Sequence, residues 1–438
     1  MTDPTIEAVR GRRVWDSRGR PTVEAEVGLA GGARGRAIAP AGASRGRGEA
    51  EERRDGGARF GGYDVQGAVA GVSGEIDAAL RGMDARDQEA VDRRLVALDG
   101  TPDRSRLGAN ALVAVSMATL RAAAAAQGEP VWRWLAQGRS VRLPLPEVQI
   151  FGGGAHAGAR IDLQDLMVLP IAALSLCEAL EVVAEVYAAA GDCQRSLGRA
   201  CGVADEGGWW PEFDSNEEAL EATVKAIEAA GLAPGRDVAI SLDLAASQLR
   251  TPEGRYRLAL EARELDLDAW IERLCGWVDR YPIAALEDPC GEDDPDGMRR
   301  VTGALGSRVQ VIGDDLLVTD AARIREAART GACNAALIKP DQVGTLSEAR
   351  SALETAREQG LATLISARSG DSEDVTLAHL AVGWDAGQIK VGSFARSERL
   401  AKWNELIRIE EALGSEARFA GASVLPEPWR RAATRAAR

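Results

Sequence analysis

The segment IAALEDPCGEDDPDGMRRVTGALGSRVQVIGDD, residues 283–315, decides the fold. It opens with an apolar run that reaches a carboxylate at Glu287, continues through a polar stretch of helical length, and returns to an apolar run that ends at Asp314. Short apolar runs separated by a helix-length segment are typical of parallel strands joined by crossover helices. The segment therefore predicts one strand–helix–strand unit with a carboxylate where each strand ends.

The chain repeats this unit on both sides of the segment. Eight apolar runs of strand length follow one another, mostly with helical segments between them: VQIF (148–151), LMVLP (166–170), VAISLDL (238–244), IAALEDP (283–289), VQVIGDD (309–315), AALIKP (335–340), TLISAR (363–368) and QIKVGS (388–393). Eight strands with crossover helices imply a parallel or nearly parallel α/β barrel. We assign this catalytic barrel to residues 143–438.

A smaller domain of a different kind precedes the barrel, at residues 1–138. Three of its segments alternate apolar and polar residues, as antiparallel strands do: TIEAVRGRRVWD (5–16), TVEAEVGLA (22–30) and RGRAIAP (34–40). A helical, alanine-rich stretch follows at 109–127. Residues 41–57 are rich in glycine and charge, which predicts a mobile lid loop. The fold class is therefore α/β, a barrel with an N-terminal α+β capping domain.

Composition limits the functions open to the chain. Its 438 residues exceed what one hydrophobic core usually serves, which agrees with two domains. The net charge of −14 argues against nucleic acid or an anionic membrane as a partner. The sequence opens without an apolar leader, and its six cysteines include no CxxC pair. We therefore expect a cytoplasmic protein with reduced thiols.

Lysine is used sparingly, because only four of the 53 basic residues are lysines. A lysine amine can lose its proton near neutral pH when its surroundings are tuned, whereas a guanidinium cannot. Lys339 and Lys390 follow the strand-like runs AALI and GQI, so they are the candidates for proton transfer. Lys225 and Lys402 lie in helical patterns, and we expect them to be solvated.

Carboxylates end three successive predicted strands, at Asp243, Glu287 and Asp314. Strand ends on one face of a barrel build the active site, so these side chains should meet there. Carboxylate oxygens are the hard ligands that Mg²⁺ prefers. Each carboxylate alone could equally cap the helix that follows it. Three in succession, followed by two strand-end lysines, favour a shared cation site.

Lys339 and Lys390 would face that cation. A nearby divalent ion and a second ammonium both disfavour protonation, so one lysine could act as a general base while the other holds a carboxylate. The segment ADEGGWW (204–210) places Asp205 and Glu206 on a glycine-rich loop, where a carboxyl could protonate a departing hydroxide. An acid and a base on opposite sides of a metal-chelated substrate suit an anti β-elimination.

A series of motifs resembles the enolase family, in the same order along nearly the whole chain. The motifs are WDSRGRPTVEAEV (15–27), PAGASRG (40–46), LGANA (107–111), GGGAHA (152–157), IDLQDLMVLP (161–170), ADEGG (204–208), SLDLAAS (241–247), LEDP (286–289), GDDL (313–316), LIKPDQVGTL (337–346), ARSGDSED (367–374) and GQIKVGSFARSERLAKWN (387–404). The resemblance implies a lyase that uses one or two Mg²⁺ ions to remove water from a small phosphorylated acid. It also implies a homodimer or an octamer.

Matched residue by residue, the resemblance first implies the cation site. Asp243, Glu287 and Asp314 match the family's Mg²⁺ ligands. Ser44, in the lid, matches the serine that joins a second Mg²⁺ when the loop closes.

The remaining matches concern proton transfer and substrate binding. Lys339 matches the base that takes the proton α to the carboxylate, and Glu206 matches the acid that assists hydroxide departure. Lys390 matches the lysine beside the substrate carboxylate. Four further residues match the substrate side, the last two as a phosphate-binding pair: His156, Gln164, Arg368 and Ser369.

Several positions inside this site depart from the family pattern. Ala367 stands where a histidine is usual, and Asp165 stands where a second active-site glutamate is usual. In the lid, Arg45 replaces a threonine-like position and Gly48 a common histidine. The first two changes enlarge the pocket, and Arg45 adds a positive charge that could bind substrate. These changes favour a larger or more anionic substrate, such as the carboxyphosphono analogue that yields carboxyphosphonoenolpyruvate in phosphinate biosynthesis.

Two alternatives stay open. An ordinary enolase would convert 2-phosphoglycerate to phosphoenolpyruvate despite Ala367 and Asp165. Shortening a catalytic carboxylate can misplace it by about 1 Å and cost on the order of a hundredfold in rate, which ranks this alternative second. A non-catalytic homologue acting as a binding or scaffold protein would show no Mg²⁺-dependent turnover, and the intact carboxylates and lysines argue against it.

Overall fold

The N-terminal segment forms an antiparallel sheet packed against helices. The computed structural model describes residues 2–199 and 202–436. Within these residues the sheet has three strands, paired in chain order: β1 (Ile6–Trp15), β2 (Pro21–Leu29) and β3 (Arg34–Ile38). The helices that follow are α1 (Gln66–Gly71), α2 (Asp77–Leu80), α3 (Gln88–Asp99), α4 (Ala109–Gln127) and α5 (Val131–Ala136). This arrangement is α+β, as predicted.

Helix α4 is the core of this domain and packs on β2 and β3. Gly35 on β3 approaches the helix so closely that a Cβ there would overlap the backbone of Ala118 and Ala122. Length and composition alone would let α4 cross a membrane, but 89% of its most apolar window is buried inside the protein. Its apolar character is therefore accounted for by packing. The cytoplasmic location stays a prediction.

The strands after residue 140 build the second domain. They are β4 (Leu145–Gly152), β5 (Asp165–Leu169), β6 (Ala239–Asp243), β7 (Tyr256–Leu258), β8 (Arg263–Leu265), β9 (Ile283–Glu287), β10 (Gln310–Gly313), β11 (Ala335–Ile338), β12 (Ala362–Ser366) and β13 (Gln388–Ser393). In the described part of the chain, eight of them close into a barrel in the order β4-β5-β6-β9-β10-β11-β12-β13, while β7 and β8 form a separate hairpin. The predicted α/β barrel is confirmed.

One barrel strand runs against the others. Strand β5 is antiparallel to both β4 and β6, whereas the remaining neighbours are parallel. Its first residue, Asp165, therefore lies on the rim where the other strands end. Asp165 is in register with Asp243, which is in register with Glu287. Reversal of this strand thus adds a carboxylate to the rim.

Side-chain caps fix where the barrel helices begin. These helices are α6 (Leu176–Ser196), α7 (Asn216–Ala229), α8 (Leu267–Arg280), α9 (Pro295–Leu305), α10 (Ala321–Thr330), α11 (Pro340–Val343), α12 (Leu346–Glu358), α13 (Thr376–Gly383), α14 (Ser397–Leu413) and α15 (Glu427–Ala436). The side chains that accept hydrogen bonds from their first-turn amides are Ser175, Ser215, Asp266, Asp294, Asp320 and Thr345. Asp243, Glu287 and Asp314 are not caps of any described helix, so the capping alternative for these carboxylates is wrong.

The barrel interior is mostly apolar but contains buried polar pairs. Its apolar part is formed by Ala285, Ile312, Ala335, Leu337 and Leu364. Glu147 on β4 is fully buried and accepts a hydrogen bond from the Ser241 hydroxyl, and burial raises the pKa of this glutamate. Gln310 and Gln388 exchange hydrogen bonds of 2.6 and 3.1 Å. Because these inward-facing polar side chains bond to one another, they interrupt the apolar pattern of the strands without needing contact with water.

The boundary between the domains falls in a short connection. Helix α5 ends at Ala136 and β4 begins at Leu145. The limits 1–138 and 143–438 stay predictions, as does the mobility of the lid.

The described cysteines are free thiols, and Cys201 lies outside the described residues.

Gly35→Ala tests the contact between β3 and α4. The added methyl group meets helix backbone that cannot give way, so we expect the free energy of unfolding to fall by about 1–3 kcal/mol. Gly28→Ala is the matched control, because the nearest atom to a Cβ there is Ala8 O at 3.9 Å. Denaturation followed by tryptophan fluorescence compares the variants, and equal midpoints would contradict the close contact.

Candidate active site

The strand-end rim of the barrel brings the predicted carboxylates and lysines together. Lys390 Nζ lies 2.8 Å from Asp243 Oδ2 and 2.7 Å from Glu287 Oε2. Lys339 Nζ lies 2.5 Å from Asp314 Oδ2. Each of the five side chains is at most 12% exposed. The rim therefore holds three carboxylates and two ammonium groups out of water.

This cluster fits a divalent cation. Burial, and then repulsion from Asp243, raise the pKa of Glu287 well above its ordinary value. Glu287 Oε1 is buried and lacks a hydrogen-bond partner among the described residues. Excess negative charge and an unsatisfied carboxylate oxygen are what a hard cation relieves. Asp243, Glu287 and Asp314 therefore have the chemistry of Mg²⁺ ligands, although that role stays a prediction.

A second acidic group shares Asp314. Oxygens of Asp288, Asp314 and Asp315 lie within 4.8 Å of one another. The Asp288 carboxylate accepts the backbone amides of Asp314 and Asp315, at 2.9 and 2.8 Å. Burial and the charge of Asp315 raise the pKa of Asp288 well above its ordinary value. Asp288 thus organises the turn after β10 and orients Asp314, a role that the LEDP motif alone did not reveal.

The protein's own charges hold both lysines protonated. Burial acts to lower the pKa of Lys339, but Asp314 outweighs it and the pKa is raised. For Lys390, burial is likewise outweighed, by Asp243 and Glu287, and its pKa is raised well above the ordinary value. A lysine that acts as a base here must first lose the attraction of its carboxylate partner.

An imidazole from the β4–β5 connection, a carboxyl from β5 and a carboxyl from the loop around 206 face this cluster. His156 Nε2 lies 3.0 Å from Asp165 Oδ1, and His156 Nδ1 lies 3.9 Å from Glu206 Oε1. Burial opposes charge on His156, but Asp165 outweighs it and raises the pKa of His156 to about 9. Burial likewise acts to raise the pKa of Asp165, but His156 outweighs it and lowers this pKa to about 2.

Glu206 is the carboxyl of this group that favours its protonated form. Burial, and then the negative charge of Asp165, raise the pKa of Glu206. Its loop is fixed to β13, because Glu206 O accepts the amide of Ser393 at 2.9 Å. A buried carboxyl with a raised pKa is suited to act as a general acid.

The predicted substrate-side residues lie beneath the lid. Gln164 Nε2 donates to Asp243 Oδ2 at 3.0 Å. Ser369 Oγ accepts the amide of Ala43 at 2.6 Å. Arg368 Nη2 donates to Ser44 O at 3.0 Å. The last two bonds attach the lid directly to Ser369 and Arg368.

The Arg368 guanidinium already has two acidic partners. Arg368 Nη1 lies 3.0 Å from Glu49 Oε2 and 2.7 Å from Asp341 Oδ2. Burial opposes its charge, but Asp341 and then Glu49 outweigh this and raise the pKa of Arg368. Sequence reasoning missed both acids, because Glu49 lies in the lid and Asp341 lies in the first turn of α11, so neither is the carboxylate that ends an apolar run.

A small enclosed cavity lies where these groups converge. Its volume is about 20 Å³, room for a single water molecule. The predicted site residues that line it are Ser44, His156, Gln164, Asp165, Glu206, Asp243, Lys339, Arg368, Ser369 and Lys390. Ala367 lines the cavity as well. Glu287 and Asp314 are not part of the lining, but they contact Lys390 and Lys339, which are.

Arg45 does not join this group. Its guanidinium lies 2.9 Å from Glu51 Oε2 and 3.7 Å from Glu49 Oε2, and it donates to Ala50 O at 3.0 Å. It is absent from the cavity lining. The structure therefore does not bring Arg45 together with the other predicted substrate ligands, all of which line the cavity.

Two buried cations on α14 support the loop at residues 368–372. The prediction that Lys402 is solvated is wrong, because its Nζ is buried and donates to Asp371 Oδ1 at 2.7 Å and Ser372 O at 2.8 Å. Arg399, also fully buried, donates to the carbonyls of Arg368 and Ser369 at 2.7 and 2.6 Å. Helical spacing alone cannot distinguish such residues from solvated ones.

Comparison with known proteins agrees with the fold and the site. The family model described as "Enolase, N-terminal domain" matches residues 6–135, and the model described as "Enolase, C-terminal TIM barrel domain" matches residues 140–427. The chain is 47% identical over 416 residues to Enolase 1 of Desulfitobacterium hafniense (strain Y51), covering 94% of this chain and 95% of that relative. The barrel and these matches define an α/β-barrel hydro-lyase. The chain belongs to the enolase family.

The two histidines of the chain offer a direct test of the site's electrostatics. We expect His156 in metal-free protein to stay charged up to about pH 9, because Asp165 stabilises the imidazolium. We expect His379 to stay neutral down to about pH 4, because burial outweighs Glu405 at 3.4 Å. NMR titration of the ring carbons measures both midpoints.

His156→Gln and His379→Gln assign the two resonances. The stability contributed by the His156 pair is present at neutral pH and is lost as the pH rises through about 9, because the folded protein holds this proton more tightly than the unfolded chain. A His156 midpoint near the ordinary value would show that Asp165 is not ionised beside it.

Proposed function

We propose that the chain catalyses the enolase reaction, the interconversion of 2-phosphoglycerate and phosphoenolpyruvate. The observation that supports it best is the pairing around one cavity of a strand-end lysine, Lys339, with a carboxyl that favours its proton, Glu206. An elimination of water needs a base and an acid at the same substrate. The 47% identity to a relative named Enolase 1 supports the same substrate.

Each residue has a distinct part in the proposed reaction. Asp243, Glu287 and Asp314, with Ser44 from the lid, would hold one or two Mg²⁺ ions. When bound, Mg²⁺ stabilises the negative charge that develops on the substrate carboxylate. Lys339 would leave Asp314 and give its own proton to solvent, and its neutral amine would then take the proton from the carbon α to that carboxylate.

The groups on the side of the substrate opposite Lys339 complete the elimination. Glu206 gives its proton to the departing hydroxide. Lys390 stays charged beside the substrate carboxylate, and His156 keeps Asp165 ionised. A charged His156 and an anionic Asp165 leave Glu206 as the carboxyl able to donate a proton.

Substrate entry requires rearrangement of the lid. A cavity of about 20 Å³ cannot hold a phosphorylated acid. A phosphate that binds Arg368 and Ser369 must replace Glu49 on the guanidinium and Ala43 on the hydroxyl. Exchange of a lid carboxylate for a substrate phosphate keeps Arg368 paired throughout, so the buried charge is never left alone.

A second candidate substrate is the carboxyphosphono analogue that gives carboxyphosphonoenolpyruvate. Ala367 lines the cavity and offers space beside Arg368 that a larger side chain would fill. Arg45, however, pairs with lid acids rather than facing the cavity. We therefore rank this substrate after 2-phosphoglycerate.

The remaining aspects of the proposal follow from composition and family. The substrate is a small phosphorylated or phosphono acid, and neither nucleic acid nor a membrane is a partner. We propose a cytoplasmic homo-oligomer, either a homodimer or an octamer.

The test is turnover of 2-phosphoglycerate with Mg²⁺, followed by the ultraviolet absorbance of phosphoenolpyruvate. Lys339→Ala should lower kcat by roughly a thousandfold or more, because the α-proton loses its base. Glu206→Gln should lower kcat by a factor of roughly 10²–10⁴ in the same assay.

Lys225→Ala is the matched control, because this lysine is 67% exposed and its ion pair among the described residues is with Glu221 at 3.8 Å. It should keep the wild-type rate. Absence of turnover with 2-phosphoglycerate, together with turnover of the carboxyphosphono analogue, would reverse the ranking of the two substrates. Turnover that survives Lys339→Ala would reject the proposed base.

A further inference from the structure

Gln149 is a fully buried side chain at the rim to which the proposed reaction assigns no role. It lies on β4, and its Nε2 donates to Asp165 Oδ1. Its Oε1 accepts the backbone amide of Gly208 at 2.7 Å. One side chain thus joins the β4–β5 wall of the barrel to the loop that carries Glu206.

The backbone determines which way this amide points. Because the Gly208 N–H can only donate, the Gln149 atom that faces it must be the oxygen, and the NH₂ group must face Asp165. Asp165 Oδ1 also contacts His156 Nε2 at 3.0 Å. Two donors on one carboxylate oxygen favour its ionised form. Gln149 and His156 therefore both hold the same oxygen of Asp165.

The Glu206 loop is built to reach Gln149. A Cβ at Gly208 would overlap the Gln149 amide oxygen, so this approach requires a residue without a side chain. Two further bonds hold the same loop: Asp205 N donates to His156 O at 3.3 Å, and Ser393 N donates to Glu206 O at 2.9 Å. The loop position and the His156–Asp165 pair are thus fixed by a common set of contacts.

We propose that Gln149 is a positioning residue for the acid half of the reaction: it holds the Glu206 loop against the His156–Asp165 pair. The expected effect of Gln149 on kcat rests on the proposed function, whereas the contacts of Gln149 with Asp165 and Gly208 do not. The charged groups that surround the amide and its partners are His156, Asp165, Glu206, Asp243 and Lys390.

Gln149→Glu tests the donor directly. The variant keeps the shape and the acceptor for Gly208 but replaces the NH₂ group with a carboxyl oxygen facing Asp165. We expect kcat to fall about 100-fold while KM changes by less than about threefold, because the acid is displaced and substrate binding is not. A kcat within about threefold of wild type would overturn the proposal.

A charge exchange separates positioning from packing. Gln149→Glu combined with Asp165→Asn moves the negative charge to position 149, whose amide nitrogen lies 3.4 Å from His156 Nε2. If the two losses were independent, the kcat of the double variant would be the wild-type value reduced by both single-variant factors. We expect its kcat to be roughly tenfold higher than that. A packing role predicts additive losses instead, and additivity would overturn the proposal.

Gln310→Glu is the matched control within the same barrel. Gln310 is 2% exposed and donates to Gln388 Oε1 at 2.6 Å, so its variant also buries a new carboxyl. It makes no contact with the Glu206 loop. We expect kcat within about threefold of wild type, which shows that a buried carboxyl alone does not produce the effect.

NMR titration of His156 in metal-free protein distinguishes failure of this inference from failure of the proposed function, because it needs no turnover. In Gln149→Glu the imidazole faces a second carboxylate, so its midpoint should rise above the wild-type value, and the double variant should restore it. An unchanged midpoint overturns the inference. The shift without turnover of 2-phosphoglycerate supports the inference and rejects the substrate.

Gln149→Met keeps the proposal testable if Gln149→Glu does not fold. Methionine has a similar length but cannot donate to Asp165 or accept from Gly208. We expect kcat to fall by roughly tenfold or more and the His156 midpoint to rise, since His156 becomes the main donor to Asp165 Oδ1. Wild-type kcat and midpoint in this variant would overturn the proposal.

Discussion

Burial of charge at one end of the barrel is the constraint on which the rest of the structure depends. Asp243, Glu287 and Asp314 are held there by three adjacent strands and are paired with Lys339 and Lys390. Buried charges are costly unless they are paired and hydrogen-bonded. The lysines leave part of the negative charge uncompensated: the pKa of Glu287 is raised, and its Oε1 has no hydrogen-bond partner in the described part of the chain. The donor set therefore fits a divalent cation.

The reversed strand β5 adds the acid half of the site to this cluster. Because β4 and β5 form a hairpin, the segment between them carries His156 and Gln164 over the rim and delivers Asp165 beside Asp243. A fully parallel barrel would place the first residue of this strand at the opposite end. One change of strand direction thus brings an imidazole and a further carboxylate to the same cavity.

Most of the fold and much of the site could be predicted from the sequence, because the relevant signals are local. Apolar runs ending in Asp243, Glu287 and Asp314 indicate both the strands and the rim at which their carboxylates meet. The antiparallel direction of β5 is not local, since its sequence is equally compatible with either direction.

What the sequence could not reveal depends on tertiary partners. Arg45 has the charge of a substrate ligand, but the lid folds its guanidinium against Glu49 and Glu51. Lys402 has the helical spacing of a solvated lysine, yet it supports the loop at Asp371. Gln149 follows an ordinary strand pattern, and only the approach of Gly208 shows what its amide holds.

The most direct test of the account is calorimetric unfolding with and without about 5 mM Mg²⁺, in wild type and in Glu287→Gln. An ion that binds only the folded protein raises the Tm in proportion to its affinity. We expect a Tm increase in wild type and little or none in Glu287→Gln, because the variant lacks one of the three carboxylates around the site. Equal responses of the two proteins, or no response of wild type, would contradict the claim that the buried charge at the rim is built for a cation.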